Sequence, residues 1–257
     1  MSEHIRIQRD GGVLVLTIDR PDKKNALTDA MYAALADAVG SAGVDPAVRV
    51  LLIRGEGETF TAGNDIGDFA AVATGARAPG EQSVVRFLRA LTVAEKPIVA
   101  AVRGAAIGIG TTLLLHCDLV YVAEDARLAA PFADLALTPE AASSLLLPLR
   151  IGHTRAFAMF ALGEVMDGRS AAALGLANAA LPSAEVDAHA LAAAHRLAAR
   201  PTGALAQTKR LMRDTATLWT VIEAELVVFG ERLRSPEAGE AFSAFAERRK
   251  PDFSKLS

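Results

Sequence analysis

The stretch IVAAVRGAAIGIGTTLLLHCDLVYVA, from Ile98 to Ala123, decides the fold. It opens on five apolar residues, Ile98 to Val102, and closes on a second such run, Leu119 to Ala123. Neither run alternates polar with apolar, which is the pattern of strands buried on both faces of a parallel sheet. Between them lie a glycine-rich turn, Gly104 to Gly110, and a helix-like run, Thr111 to His116. Strand, turn, helix and strand in that order make an α/β unit.

The same alternation extends toward the N-terminus. Ile5-Arg6-Ile7 and the run from Val13 to Ile18 read as strands joined by a hairpin at Asp10-Gly11-Gly12. A polar loop, Arg20 to Leu27, follows, and Thr28 caps a helix that runs through Met31, Leu35, Ala38 and Val39. A third strand spans 48–53. A second glycine-bearing turn, Ala62-Gly63-Asn64-Asp65, leads into a short helix ending at Val72 and a mobile Ala-, Gly- and Pro-rich loop over 73–80. A helix over 81–94 puts Val84, Phe87, Leu88 and Leu91 on one side before Pro97 stops it.

Beyond the central stretch the chain reads as helical over 139–147, 154–162, 170–174, 184–199, 202–213, 218–233 and 236–250. A short strand is expected over 177–181. Gly175, Pro201 and Ser235-Pro236 are the breaks. A boundary near Arg200 separates an α/β core, 1–200, from a C-terminal helical region, 201–257.

Composition narrows the function. The chain has 257 residues, ample for a buried core, and a formal net charge of -3 without a run of five like charges, so nucleic acid is not an expected partner. One cysteine, Cys117, stands among leucines and excludes an intrachain disulfide; it reads as a buried thiol. The segment MSEHIRIQRD lacks the apolar core of a signal peptide, and no apolar run reaches the ~18 residues that span a bilayer, so a cytoplasmic protein is expected. Apolar residues make up 51%, which favours burial between subunits.

Three places carry candidate chemistry. Gly108-Ile109-Gly110 follows a strand and opens a helix, but position 113 is leucine, so the dinucleotide fingerprint is incomplete. Its glycines serve either close packing or a helix start whose free N–H groups meet a negative oxygen. Ala62-Gly63-Asn64-Asp65 is either an ordinary loop or a second donor facing the first across an oxyanion hole. Thr138-Pro139-Glu140 reads as a helix start, and Glu140 either complements the helix dipole or, buried in an apolar neighbourhood, moves protons. No histidine is spaced for a triad, G-x-S-x-G is absent, and no metal cluster is apparent; His116 reads as a packed core residue.

Five pieces in this order resemble the crotonase (enoyl-CoA hydratase/isomerase) superfamily: RPDKKNAL (20–27), FTAGNDI (60–66), KPIVAAVRGAAIGIG (96–110), Cys117-Asp118 and FAERRKPDF (245–253). The resemblance implies a ClpP-like spiral of ββα units with a C-terminal helical region that packs trimers, often as hexamers. It implies an acyl-CoA thioester as substrate, with coenzyme A belonging to the substrate and no separate cofactor or metal. By position, the oxyanion hole would be the N–H groups of Asn64 and Ile109. Lys24, Ala26, Asp65 and Ile66 would hold the adenine end of CoA, and Ala62, Gly110 and Phe132 would complete the substrate site.

The two glutamates that hydratases of the family use fall at Thr112 and Phe132, neither of which can activate water. The chain is more similar to the peroxisomal and yeast-type Δ3,Δ2-enoyl-CoA isomerases. Shared features are Gly63-Asn64-Asp65, the run Ile107 to Thr112, Pro131-Phe132, Pro139-Glu140 and Ser143-Ser144. That likeness implies one catalytic glutamate, Glu140, with Leu145 and Leu146 as candidates to line an acyl tunnel. A lyase or hydrolase of the same superfamily, or a non-catalytic acyl-CoA-binding protein, is the alternative.

Overall fold

The computed structural model describes residues 2–65, 67 and 83–256. Ile66, the short helix to Val72, the loop over 73–80 and the first two residues of the helix expected over 81–94 lie outside the described residues. The main sheet has six strands in the order β1-β2-β3-β4-β6-β9. These are β1 (Ile5–Asp10), β2 (Val13–Ile18), β3 (Val50–Gly55), β4 (Ile98–Val102), β6 (Leu119–Ala123) and β9 (Ala179–Leu181). The hairpin β1–β2 is antiparallel, and every later pair is parallel. Leu51, Leu52 and Ile53 are consecutive and all buried, as are all five residues of β4. Successive side chains on a strand point to opposite faces, so both faces of the sheet are covered.

Helix α1 (Asp29–Val44) starts at the Thr28 cap, whose hydroxyl accepts from the Met31 N–H. It packs on α2 (Ser83–Val93). After β4 the chain makes β5 (Ala105–Ile107), the short helix α3 (Ile109–Thr112) and a 3-10 turn, Leu113–His116. A second sheet, β5-β7-β8, is completed by β7 (Arg127–Ala129) and β8 (Met166–Asp167). These three short strands carry no periodicity of their own and were not expected from sequence. The remaining helices are α4 (Ser143–Ile151), α5 (His153–Ala161), α6 (Gly168–Ala173), α7 (Val186–Ala198), α8 (Thr202–Met212), α9 (Thr215–Leu233) and α10 (Pro236–Ala246). Among the described residues no helix is long and apolar enough to cross a membrane.

The expected helix start at Thr138-Pro139-Glu140 is corrected. Helix α4 begins at Ser143, after two alanines with positive φ, Ala141 at +61° and Ala142 at +54°. The helix has no local side-chain cap. A carboxylate from α9, Glu225, accepts instead from the N–H groups of Ala142 and Ser144. Glu140 therefore stands outside the first turn and does not serve as that turn's acid.

Where β4 turns into β5 the backbone has no room. Gly104 has φ +59°, and a Cβ there would lie 1.9 Å from the Glu58 carbonyl oxygen. Gly104→Ala is expected to destabilise the protein by more than about 3 kcal/mol in urea denaturation, from strain and steric conflict together.

Candidate active site

The two glycine turns are stitched together by main-chain bonds. Thr61 N–H donates to the Ala105 carbonyl and Ile107 N–H to the Thr61 carbonyl, each at 3.0 Å. On the other side, Leu27 N–H donates to Gly63 at 2.8 Å and Asp65 N–H to Leu27 at 2.9 Å. That is a parallel bridge, in which Asn64 turns its own N–H away from Leu27. Gly63 (φ +91°) comes so close to β5 that a Cβ would sit 2.8 Å from the Ile107 oxygen.

On the facing turn, Thr111 and Thr112 send their N–H groups back to the Gly108 carbonyl. Ile109 is the first residue of α3, and its N–H is one of the free donors of a helix start. Among the described residues neither the Asn64 nor the Ile109 N–H has an acceptor within the protein. The Asn64 side chain is itself held by the Tyr32 hydroxyl, which donates to its Oδ1.

Both turns open on one cavity of about 860 Å³. Lys24, Ala26, Ala62, Asn64, Asp65, Ile109 and Phe132 all line it. Gly110 does not; it is buried against Thr61, where a Cβ would meet the methyl group at 2.6 Å, so close packing is what requires glycine there. Leu145 and Leu146 do not line it either, and Leu146 faces a different cavity, beside Lys209 and Arg213. At one end stand Arg20, Lys23 and Lys24, with Arg20 bonded to Asp65 at 2.7 Å and to the Ala26 carbonyl at 3.1 Å. Apart from Asp134 the other walls are largely apolar, with Phe132 and Leu137 joined by Phe229 of α9 and Phe245 of α10.

Glu140 is 6% exposed and is not among the cavity-lining residues. It is tied to helix α3 by Thr112, one turn after Ile109, whose hydroxyl donates to its Oε1. Burial pushes its pKa from an ordinary 4.5 to about 8; the Thr112 hydrogen bond opposes the rise, and the Glu225 charge adds to it. His116 is fully buried and held neutral, its pKa pushed down to about 3 by burial and by the Arg213 charge. Cys117 is buried, with its thiol pushed up to about 12.

Sequence reasoning passed over three contributors. Asn25, fully buried at φ +58°, ties the polar loop down by donating to the carbonyls of Glu56 and Thr59 at 2.9 and 2.6 Å. An Asn amid loop residues in a polar stretch was its one sign. Asp134, from the 3-10 turn after Phe132, brings a second carboxylate to the cavity wall. Glu225 looks from sequence like any acid on an amphipathic helix.

Comparison with known proteins agrees with this architecture. The enoyl-CoA hydratase/isomerase family pattern matches residues 8–255. The chain is 33% identical to the 1,2-epoxyphenylacetyl-CoA isomerase of Escherichia coli (strain K12), over 98% of this chain and 99% of that one. It is also 33% identical to a probable enoyl-CoA hydratase of Rhodobacter capsulatus, again over 98% and 99%. The crystal structure of an enoyl-CoA hydratase/isomerase from Pseudoalteromonas atlantica T6c superposes with a TM-score of 0.92 at 41% identity, covering 98% of this chain and all of that one. Similarity this continuous, with the fold to match, means that the chain belongs to the enoyl-CoA hydratase/isomerase family, within the crotonase superfamily.

Proposed function

We propose that the protein moves the double bond of a 3-enoyl-CoA into conjugation, giving the 2-enoyl-CoA. The thioester oxygen accepts from the N–H groups of Asn64 and Ile109. Ionised Glu140 takes a proton from C2, and the electron pair spreads into a dienolate whose oxygen end the two N–H groups stabilise. The same carboxyl returns the proton at C4, so one acid suffices and no water is consumed. Lys23, Lys24 and Arg20, cationic side chains at one end of the cavity, are assigned to the phosphates of CoA. A homotrimer or homohexamer belongs to the same reading; exposed Phe157 and Leu162 are the kind of surface such packing covers.

One observation carries the choice of isomerisation over hydration. Thr112 and Phe132 occupy the two positions at which the resemblance places hydratase glutamates. Here the first is a buried hydroxyl bonded to Glu140, and the second is an apolar wall stacked near Phe160, ring centres 5.7 Å apart. Neither can activate a water molecule.

A second reading, a lyase or hydrolase of the same superfamily, has Asp134 in its favour, since that carboxylate lines the cavity and Glu140 does not. The absorbance of the conjugated thioester separates them. With a 3-enoyl-CoA it is expected to rise, and Asp134→Asn is expected to keep the rate within about threefold, as for a group outside the proton transfer. With a 2-enoyl-CoA no comparable fall is expected. A fall, or no rise in the native protein, overturns the isomerase reading; loss of the rise in Asp134→Asn overturns Glu140 as the sole proton carrier. Tight CoA binding with no change in either assay points to a non-catalytic acyl-CoA-binding protein.

A further inference from the structure

The second peptide unit after Glu140 is gripped at both of its polar atoms. Between Ala141 and Ala142 the carbonyl accepts from His116 Nε2 at 2.7 Å, and the N–H donates to Glu225 Oε2 at 2.6 Å. Glu225 also takes the Ser144 N–H on its other oxygen, at 2.9 Å. His116 is held in turn by Arg213, which donates to its Nδ1 and, at 3.2 Å, to its carbonyl. With a carbonyl as partner, Nε2 must carry the hydrogen, so the neutral ring receives from Arg213 on one side and gives to the turn on the other.

This grip has work to do, because both alanines sit at positive φ, +61° and +54°, a region disfavoured for any residue with a Cβ. Left to itself the turn would relax by flipping that peptide, and Glu140, one residue before it, would swing. A helix cap alone needs only the N–H groups; here the carbonyl is pinned as well, from a different element. Both clamping side chains are buried, and the proposed reaction uses neither.

We propose that Glu225 and His116 are positioning residues: they lock the Ala141–Ala142 peptide and thereby aim the carboxyl of Glu140. The proposal rests on the reading of Glu140 as the proton carrier. Among the described residues Glu225 is also the charged group that acts on Glu140; Thr112 presents a hydroxyl, His116 is neutral, and Arg213 lies behind His116.

The test is Glu225→Gln, which keeps the shape but sets an amide NH2 against a backbone N–H. A 10- to 100-fold fall in kcat is expected, with KM changed by less than about threefold, because the loss lies in orientation. The pH midpoint of kcat/KM is expected to move to lower pH, since a facing negative charge is gone. Adding Ala142→Gly, which accepts positive φ freely, is expected to recover part of kcat without restoring the midpoint.

Should Glu225→Gln fail to fold, His116→Leu and His116→Gln carry the test. The first is expected to lose at least about 10-fold in kcat, and the second, whose amide nitrogen stands in for Nε2, to recover much of it. Glu140→Gln is run beside them. If it is inactive while Glu225→Gln keeps native kcat and midpoint, positioning is overturned and the isomerase reading stands. If Glu140→Gln turns over like the native chain, Glu140 is not the proton carrier, and this proposal falls with that reading.

Discussion

Glu140→Gln is expected to cut the double-bond shift by about 100- to 10,000-fold and to make the protein harder to unfold at pH 9. The first effect follows from the proposed role of Glu140, since glutamine keeps the shape but cannot carry the proton. The second follows from burial. Glu140 holds its proton to about pH 8 in the fold but releases it near 4.5 in an unfolded chain. The folded state therefore binds more protons between those values, and this group's stabilisation is complete below 4.5 and lost as pH climbs through 8. Charging the carboxyl inside the fold costs about 4–5 kcal/mol.

A glutamine there never charges. Wild type and variant are expected to melt together near pH 5 and to separate as pH rises, the variant melting roughly 10 °C higher at pH 9. Parallel melting curves at both pH values would mean that Glu140 is not buried as described. The same titration gives the rate its direction. As the proposed base, Glu140 must be ionised, so kcat/KM is expected to rise with pH toward a plateau above about 8. An active site that stores its base in the protonated form trades stability for reactivity at one residue.

Much of the sheet was legible because its signals are local. Ile98–Val102 and Leu119–Ala123 are uninterrupted apolar runs, and both occur as strands over those residues. The hairpin at Gly11 and the cap at Thr28 were equally readable, since each depends on neighbours a few residues away. Family resemblance then supplied what periodicity could not, namely which turns face each other.

Elsewhere, contacts distant in sequence decided the outcome. Residues 105–107, 127–129 and 166–167 become strands only because they pair with one another. Thr138-Pro139-Glu140 has every local mark of a helix start, yet the helix waits for Ser143, where Glu225 reaches in from α9. No window of sequence around Glu140 contains that carboxylate. Nor does any local pattern show that Phe229 and Phe245, far along the chain, close the cavity begun at Arg20.

Ile109→Pro should lower kcat by about 100- to 1,000-fold with little change in KM, the expected effect of deleting one oxyanion donor. A main-chain N–H is normally beyond the reach of side-chain mutagenesis, but the local geometry here allows the change. Ile109 is the first residue of α3, the one helical position where proline fits, and its N–H makes no helical bond. The residue before it is Gly108, which has no Cβ to clash with the proline ring. The variant also loses a buried side chain, as Ile109 is 1% exposed. Ile109→Ala separates the two losses, since it removes the packing and keeps the N–H. If Ile109→Ala is only mildly slower and Ile109→Pro is crippled, both with unchanged affinity for a saturated acyl-CoA, the donor is the cause. Equal slowing in both variants would assign the effect to packing and leave Asn64 as the sole main-chain donor, a geometry able to hold the substrate carbonyl but poorly matched to the second lone pair of a dienolate oxygen.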